Sequence, residues 1–147
     1  LPDAGDIFIR TLAHRSIISM HTYTIVTNNA ALLADDGLPF ALTPVAGGLE
    51  TIYDTLSAML QSGYRLISSP LPANVPLIRS PVRSIIVEKS EKQFDVQGLL
   101  TLERAKERTA VLGVNDDARV RNDLETIDRD QLFRAIAQLE EIRKETQ

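Results

Sequence analysis

Apolar positions along the chain recur at two spacings, and the places where one spacing gives way to the other define an α/β order. Tyr23-Thr24-Ile25-Val26-Thr27 is β-branched and aromatic, which predicts a strand that Asn28-Asn29 ends. Asn29 is placed to cap a short helix through Ala30–Ala34, closing at Asp36-Gly37. A second strand is predicted over Phe40–Val45, where Pro44 pushes it toward a sheet edge. After Gly47-Gly48, Leu49, Ile52, Tyr53, Leu56, Met59 and Leu60 form one helical stripe, with Glu50 and Asp54 near the positive end of its dipole. Gly63 closes that helix and Tyr64–Ile67 follows as a third strand, ending in Ser68-Ser69-Pro70. Strand, helix and strand in such tight order predict a right-handed parallel crossover.

Residues 70–81 hold Pro70, Pro72, Pro76 and Pro81, four of the seven prolines, and are expected to form an extended loop without helix. Arg83–Glu88 is the fourth strand, apolar at its centre and therefore buried on both faces. A helix is predicted over about residues 98–112, with Leu99, Leu100, Leu102, Ala105 and Leu112 as core candidates and Gly113 as its stop. The last helix is expected to begin at Asp128, with Gln131 three residues on and Ile127 and Leu132 at the staple positions. Leu132, Phe133, Ile136, Leu139 and Ile142 form its apolar face. The expected fold is a single α/β domain over residues 20–147, helical from about residue 98. It has a mostly parallel sheet of about four strands, flanking helices and a helical C-terminal extension. Residues 1–19, ahead of Met20, read as an N-terminal extension; within them Asp6–Leu12 fits a short helix or an edge strand equally well.

Composition narrows the chemistry. The chain has 147 residues, no cysteine and no tryptophan. Thiol nucleophiles, redox pairs, zinc–thiolate sites and iron–sulfur clusters are therefore excluded. A net charge of -4 and 5% aromatic residues argue against a nucleic-acid-binding role. No apolar run approaches the roughly 18 residues of a membrane span, and Asp3 and Asp6 make the first residues a poor signal peptide, so a cytoplasmic protein is expected. Residues 1–100 hold 7 basic and 9 acidic side chains, residues 101–147 hold 9 and 11. A buried sheet at the front and solvated helices at the back account for that contrast.

Three segments resemble the GrdX-like family: Thr24-Ile25-Val26-Thr27-Asn28-Asn29, the helix end Ser62-Gly63-Tyr64-Arg65-Leu66, and the run Ser69-Pro70-Leu71 to Ser80-Pro81-Val82-Arg83-Ser84-Ile85-Ile86. The resemblance covers roughly residues 20–90. It implies a small bacterial, intracellular accessory protein encoded with glycine-reductase genes, and it transfers no active-site residue.

No motif implies a cofactor or a metal. His14 and His21 have no recognisable serine or acidic partner, and no nucleophile elbow is present. Asp35-Asp36 and Asn115-Asp116-Asp117 read as turns and helix starts rather than metal loops. Gly47-Gly48 offers a phosphate cradle at a helix start, but without the spacing of a nucleotide-binding motif; close helix–strand packing accounts for two glycines equally well. In a parallel sheet the strand ends converge on one edge, which would bring Asn28, Asn29, Ser68 and Ser69 together. The stiff loop adds Arg79, Ser80 and Arg83, whose guanidinium groups suit carboxylate or phosphate. The site expected from sequence is this cleft, holding a small anionic ligand. Function is read as ligand or partner-protein binding, with a small enzyme acting on an anionic metabolite as the alternative. The broad stripe of the last helix leads to the expectation of a homodimer.

Overall fold

A computed structural model describes residues 22–91 and 94–146. The expectations for residues 1–19 and for His14 and His21 lie outside the described residues. Four strands, β1 (Tyr23–Thr27), β2 (Ala41–Pro44), β3 (Tyr64–Leu66) and β4 (Ser84–Lys89), form one sheet in the order β2-β1-β4-β3. β2 lies at an edge, as Pro44 requires, and runs parallel to β1. The helices are α1 (Ala30–Leu33), α2 (Leu49–Leu60), α3 (Val75–Ile78), α4 (Val96–Leu112) and α5 (Arg121–Thr146), with a 3₁₀ turn at Ala118–Val120.

The sheet is mixed, not mostly parallel. β4 runs antiparallel to both β1 and β3, with Thr27 opposite Ser84 and Leu66 opposite Val87. The reason lies in the connection before β4. A parallel neighbour needs an element that carries the chain back along the sheet. The only helix between β3 and β4 is the four-residue α3, about 6 Å long, against about 20 Å for the six-residue β4. The chain therefore turns at the edge it has reached and re-enters the sheet in the opposite direction. β2, α2 and β3 do make a crossover between strands of one direction, but β2 and β3 end on opposite edges of the sheet.

Two further expectations are corrected. Residues 70–81 are not wholly helix-free, because Pro76 falls in the first turn of α3, where its missing N–H has no intrahelical partner to lose. The last helix begins at Arg121, not Asp128. Its lead-in is capped by Asp117, whose side chain accepts from the Arg119 N–H at 2.9 Å. Asp128 sits well inside the helix and is buried.

Alternating strand residues divide the core in two. Val26, Ile85 and Val87 face α2 and α4, packing on Ile52, Leu56, Leu60, Leu102 and Ala105. Tyr23, Ile25 and Ile86 face α1 and α5, packing on Leu32, Phe40, Leu132 and Ile136. Ala135 and Leu139 pack against this second cluster, so most of the α5 stripe is occupied by the chain's own sheet. Phe133 lies under the Arg129 guanidinium at 4.6 Å, and Ile142 remains exposed.

Candidate functional site

β1, β2 and β3 all end on the side of the sheet where β4 begins, but β4 lies between β1 and β3, so Asn28 and Asn29 are one strand removed from Ser68 and Ser69 and do not share a cleft with them. Most of them hold the fold together. Asn28 accepts from the Arg83 backbone N–H at 2.9 Å and donates through Nδ2 to the carbonyls of Gly47 and Pro81 at 3.0 and 2.8 Å. Asn29 is fully buried; its Oδ1 caps α1 through the Ala31 N–H, while Nδ2 donates to the Glu125 carbonyl and to Asp128 Oδ2. Ser80 turns back on Val82. Among the described residues, Arg79 is exposed and lines no cleft, and only its backbone is engaged, the N–H donating to the Pro76 carbonyl at 3.4 Å and the carbonyl accepting from the Asn115 N–H at 2.7 Å.

Arg83 departs most from expectation. Rather than presenting its guanidinium to a ligand, it is buried and uses all five N–H donors on the protein. Nη2 donates to the carbonyls of Ile78 and Ser80 at 3.1 Å each. Nη1 donates to Pro70 O at 3.0 Å and Tyr53 Oη at 3.5 Å, and Nε to Val82 O at 3.4 Å. Four prolines thin out the amide donors of residues 70–81, and the carbonyls of Pro70, Ile78 and Ser80 converge instead on this one guanidinium. Burial lowers the basicity of this guanidinium.

Ser68, Ser69 and Arg83 share a cleft of about 340 Å³ with Ser84, Asp128, Gln131, Arg134 and Gln138, closed by Leu71, Pro72 and Ala73 on the loop side. Ser68 Oγ accepts from the Ile86 N–H at 2.8 Å, and Ser69 Oγ bonds to the backbone of Leu71. α5 supplies the other wall. Arg134 on it is exposed and has no ion pair among the described residues.

Asp128 anchors a directed chain of hydrogen bonds beneath the cleft. The Asn29 N–H donates to Thr27 Oγ1 at 3.0 Å, Thr27 Oγ1 and Ser84 Oγ are 2.7 Å apart, and Ser84 Oγ donates to Asp128 Oδ2 at 2.6 Å. Asn29 Nδ2 reaches the same oxygen at 3.0 Å, so both side-chain donors fall on Oδ2 and none on Oδ1. Burial holds the Asp128 carboxyl above the usual carboxylate range, against the opposing pull of Ser84, Asn29 and Arg83. Asp128 carried a sequence signal that the capping pattern obscured. It lies four residues after Leu124 and four before Leu132, which puts a carboxylate on the apolar stripe itself.

A larger cleft of about 820 Å³ opens between the start of α2 and the end of α4, with Gly47 and Gly48 on its wall. Close packing does not account for Gly48, since a Cβ there would meet nothing within 4 Å. Gly47 is different: its φ is +153° and a Cβ would approach Thr51 Oγ1 to 2.8 Å. Three acids, Glu50, Asp54 and Asp116, outnumber Lys106 and Arg121 on this wall, and Arg121 faces Asp116 at 3.7 Å and Glu125 at 3.8 Å. Surplus positive charge belongs to the smaller cleft.

A family model described as GrdX-like protein matches residues 24–137. The chain belongs to the GrdX-like family. The matched stretch extends beyond the motifs within residues 20–90 and takes in the sheet from Thr24 onward, α4 and most of α5, including Asp128 and Arg134. Comparison with curated proteins and with solved structures gives no match. Among the described residues, no helix is long and apolar enough to cross a membrane.

Proposed function

We propose that this member of the GrdX-like family binds a small anion in the cleft between the end of β3 and α5, and serves as a binding protein. The observation that carries this reading is the charge of the cleft wall. Arg83 and Arg134 stand against one carboxyl, Asp128, which burial pushes toward its neutral form. Arg83 contributes field only, its donors being committed. Arg134 supplies the free guanidinium fork, with the amides of Gln131 and Gln138 beside it. At about 340 Å³ the cleft lies near the small end of ligand pockets, which favours a compact carboxylate or phosphate over a nucleotide. One charge-assisted contact contributes about 1.5–3 kcal/mol, so inorganic anions are expected to bind with Kd on the order of ten to a hundred millimolar.

The test is titration of isotope-labelled protein with sulfate, phosphate and acetate, following amide shifts. Shifts should centre on Ser68, Ser69, Gln131, Arg134 and Gln138, and Arg134→Ala should weaken binding about ten-fold. Shifts confined to the Gly47-Gly48 cleft, or an Arg134→Ala variant that binds as tightly as the parent, would overturn the assignment. A second reading, a small enzyme acting on an anionic metabolite in the same cleft, draws on the Ser84–Asp128 pair at 2.6 Å. It requires that a bound anion be chemically converted over time, and an unchanged ligand spectrum argues against it.

A further inference from the structure

We propose that the cleft takes up its anion together with a proton, and that Asp128 is where the proton settles. This rests on the anion-binding reading above. Asp128 lines the cleft and is itself buried, so an anion held there lies in the same small space as its carboxylate. Two like charges in one such site oppose each other, and protonating the carboxyl removes the conflict. The bonding around Asp128 leaves a place for the proton. Oδ2 accepts from the Ser84 hydroxyl and from Asn29 Nδ2, and the Ser84 backbone N–H also bonds to the carboxyl, whereas Oδ1 has no side-chain donor. A proton on Oδ1 therefore breaks neither side-chain bond and turns an acceptor into a donor.

The charged groups around Asp128 do not substitute for this proton. From the segment before β4, Arg83 acts through its field. On α5, the Glu125 carboxylate faces Arg121, Arg129 is paired with Asp35 at 2.8 Å, and Arg134 is the group that meets the anion. From the end of β1 and the cap of α1 come only Thr27 and Asn29, and residues 70–78 carry no charge.

Sulfate is the probe, because its own charge is constant across the range used. Its affinity for the intact chain should fall about ten-fold or more between about pH 5 and about pH 8. Asp128→Asn keeps an acceptor for Ser84 and Asn29 and should bind sulfate with the pH slope removed. The whole chain also gains negative charge as pH rises, so only the part of the slope that Asp128→Asn abolishes counts. If that variant does not fold, calorimetry of the parent in two buffers of different ionisation enthalpy counts protons directly, and uptake between zero and one per sulfate is expected. Sulfate that binds at Ser68, Ser69 and Arg134 without proton uptake, or with a slope the variant retains, overturns the coupling and leaves the anion site standing. Sulfate that perturbs none of these residues at any pH overturns both.

Discussion

Replacing Arg83 by alanine separates its two possible employments, ligand contact and loop clamp. The guanidinium makes three well-placed bonds, to the carbonyls of Pro70, Ile78 and Ser80 at 3.0–3.1 Å, and two longer ones at 3.4 and 3.5 Å to Val82 and Tyr53. A hydrogen bond from a charged donor is worth about 1.5–3 kcal/mol net, so the three good ones amount to about 4.5–9 kcal/mol before any relaxation. Relief of the buried charge and entry of water into the vacated space offset part of this, leaving an expected loss of about 3–4 kcal/mol. Urea unfolding followed by circular dichroism should show the midpoint falling accordingly with an unchanged slope, and Tm should drop by roughly 10 °C. Arg79→Ala, whose side chain is exposed and makes none of these five bonds, should move stability by less than about 0.5 kcal/mol. Arg83→Lys should recover only a fraction, because one ammonium cannot reach acceptors spread around a planar fork. Equal stability losses for Arg83→Ala and Arg79→Ala would refute the clamp and return the Arg83 guanidinium to the pool of ligand-binding groups.

Other expectations follow from single positions. Asp128 has a higher pKa folded than unfolded, so its share of stability is complete at pH values below the unfolded carboxyl value and is lost as pH rises through the folded one. Urea midpoints at about pH 3.5 and about pH 7 should therefore show Asp128→Asn gaining on the parent as pH rises, and a gap that is constant or reversed would contradict this. Gly48→Ser should stabilise the protein by about 0.5 kcal/mol, since the N-cap of α2 is in extended conformation, lacks a side-chain bond and has open space for one. Gly47→Ser should cost about 1–3 kcal/mol through its positive φ and the approach to Thr51, and thermal denaturation of the two variants should move in opposite directions.

Local chemistry made the elements legible. Strands expected at residues 23–27, 40–45, 64–67 and 83–88 are found at Tyr23–Thr27, Ala41–Pro44, Tyr64–Leu66 and Ser84–Lys89, because β-branching inside and Gly, Asn or Pro outside act within a few residues. Asn29 as the α1 cap was legible for the same reason. Strand direction was not, because it depends on the path between strands, and the proline count of residues 70–81 masked the short α3 that makes β4 turn back. The site was half legible. Ser68 and Ser69 follow from position at a strand end, but Arg83 is spent on the loop, and Arg134, which lines the cleft without an ion pair among the described residues, carried no signal in the sequence. An arginine beside a loop looks free, and whether carbonyls converge on it is decided by the folded loop. Asp128 looked like a cap because it is followed three residues later by Gln131, a spacing shared by caps and helix interiors.

The buried Asn29–Asp128 bond spans 99 positions of sequence, and the Thr27–Ser84 bond spans 57. During synthesis at about 5–20 residues per second, β1 waits about 3–11 s for its antiparallel neighbour and about 5–20 s for the helix that covers its other face. Until α5 arrives, Tyr23 and Ile25 have only Leu32 and Phe40 of that core cluster's buried side chains over them, and until β4 is made the strand also has one open edge. Among the described elements, the helix that completes the cover of β1 is made after all four strands, so a ribosome stalled before α5 emerges holds a chain with part of an apolar sheet face in water, a natural substrate for chaperones.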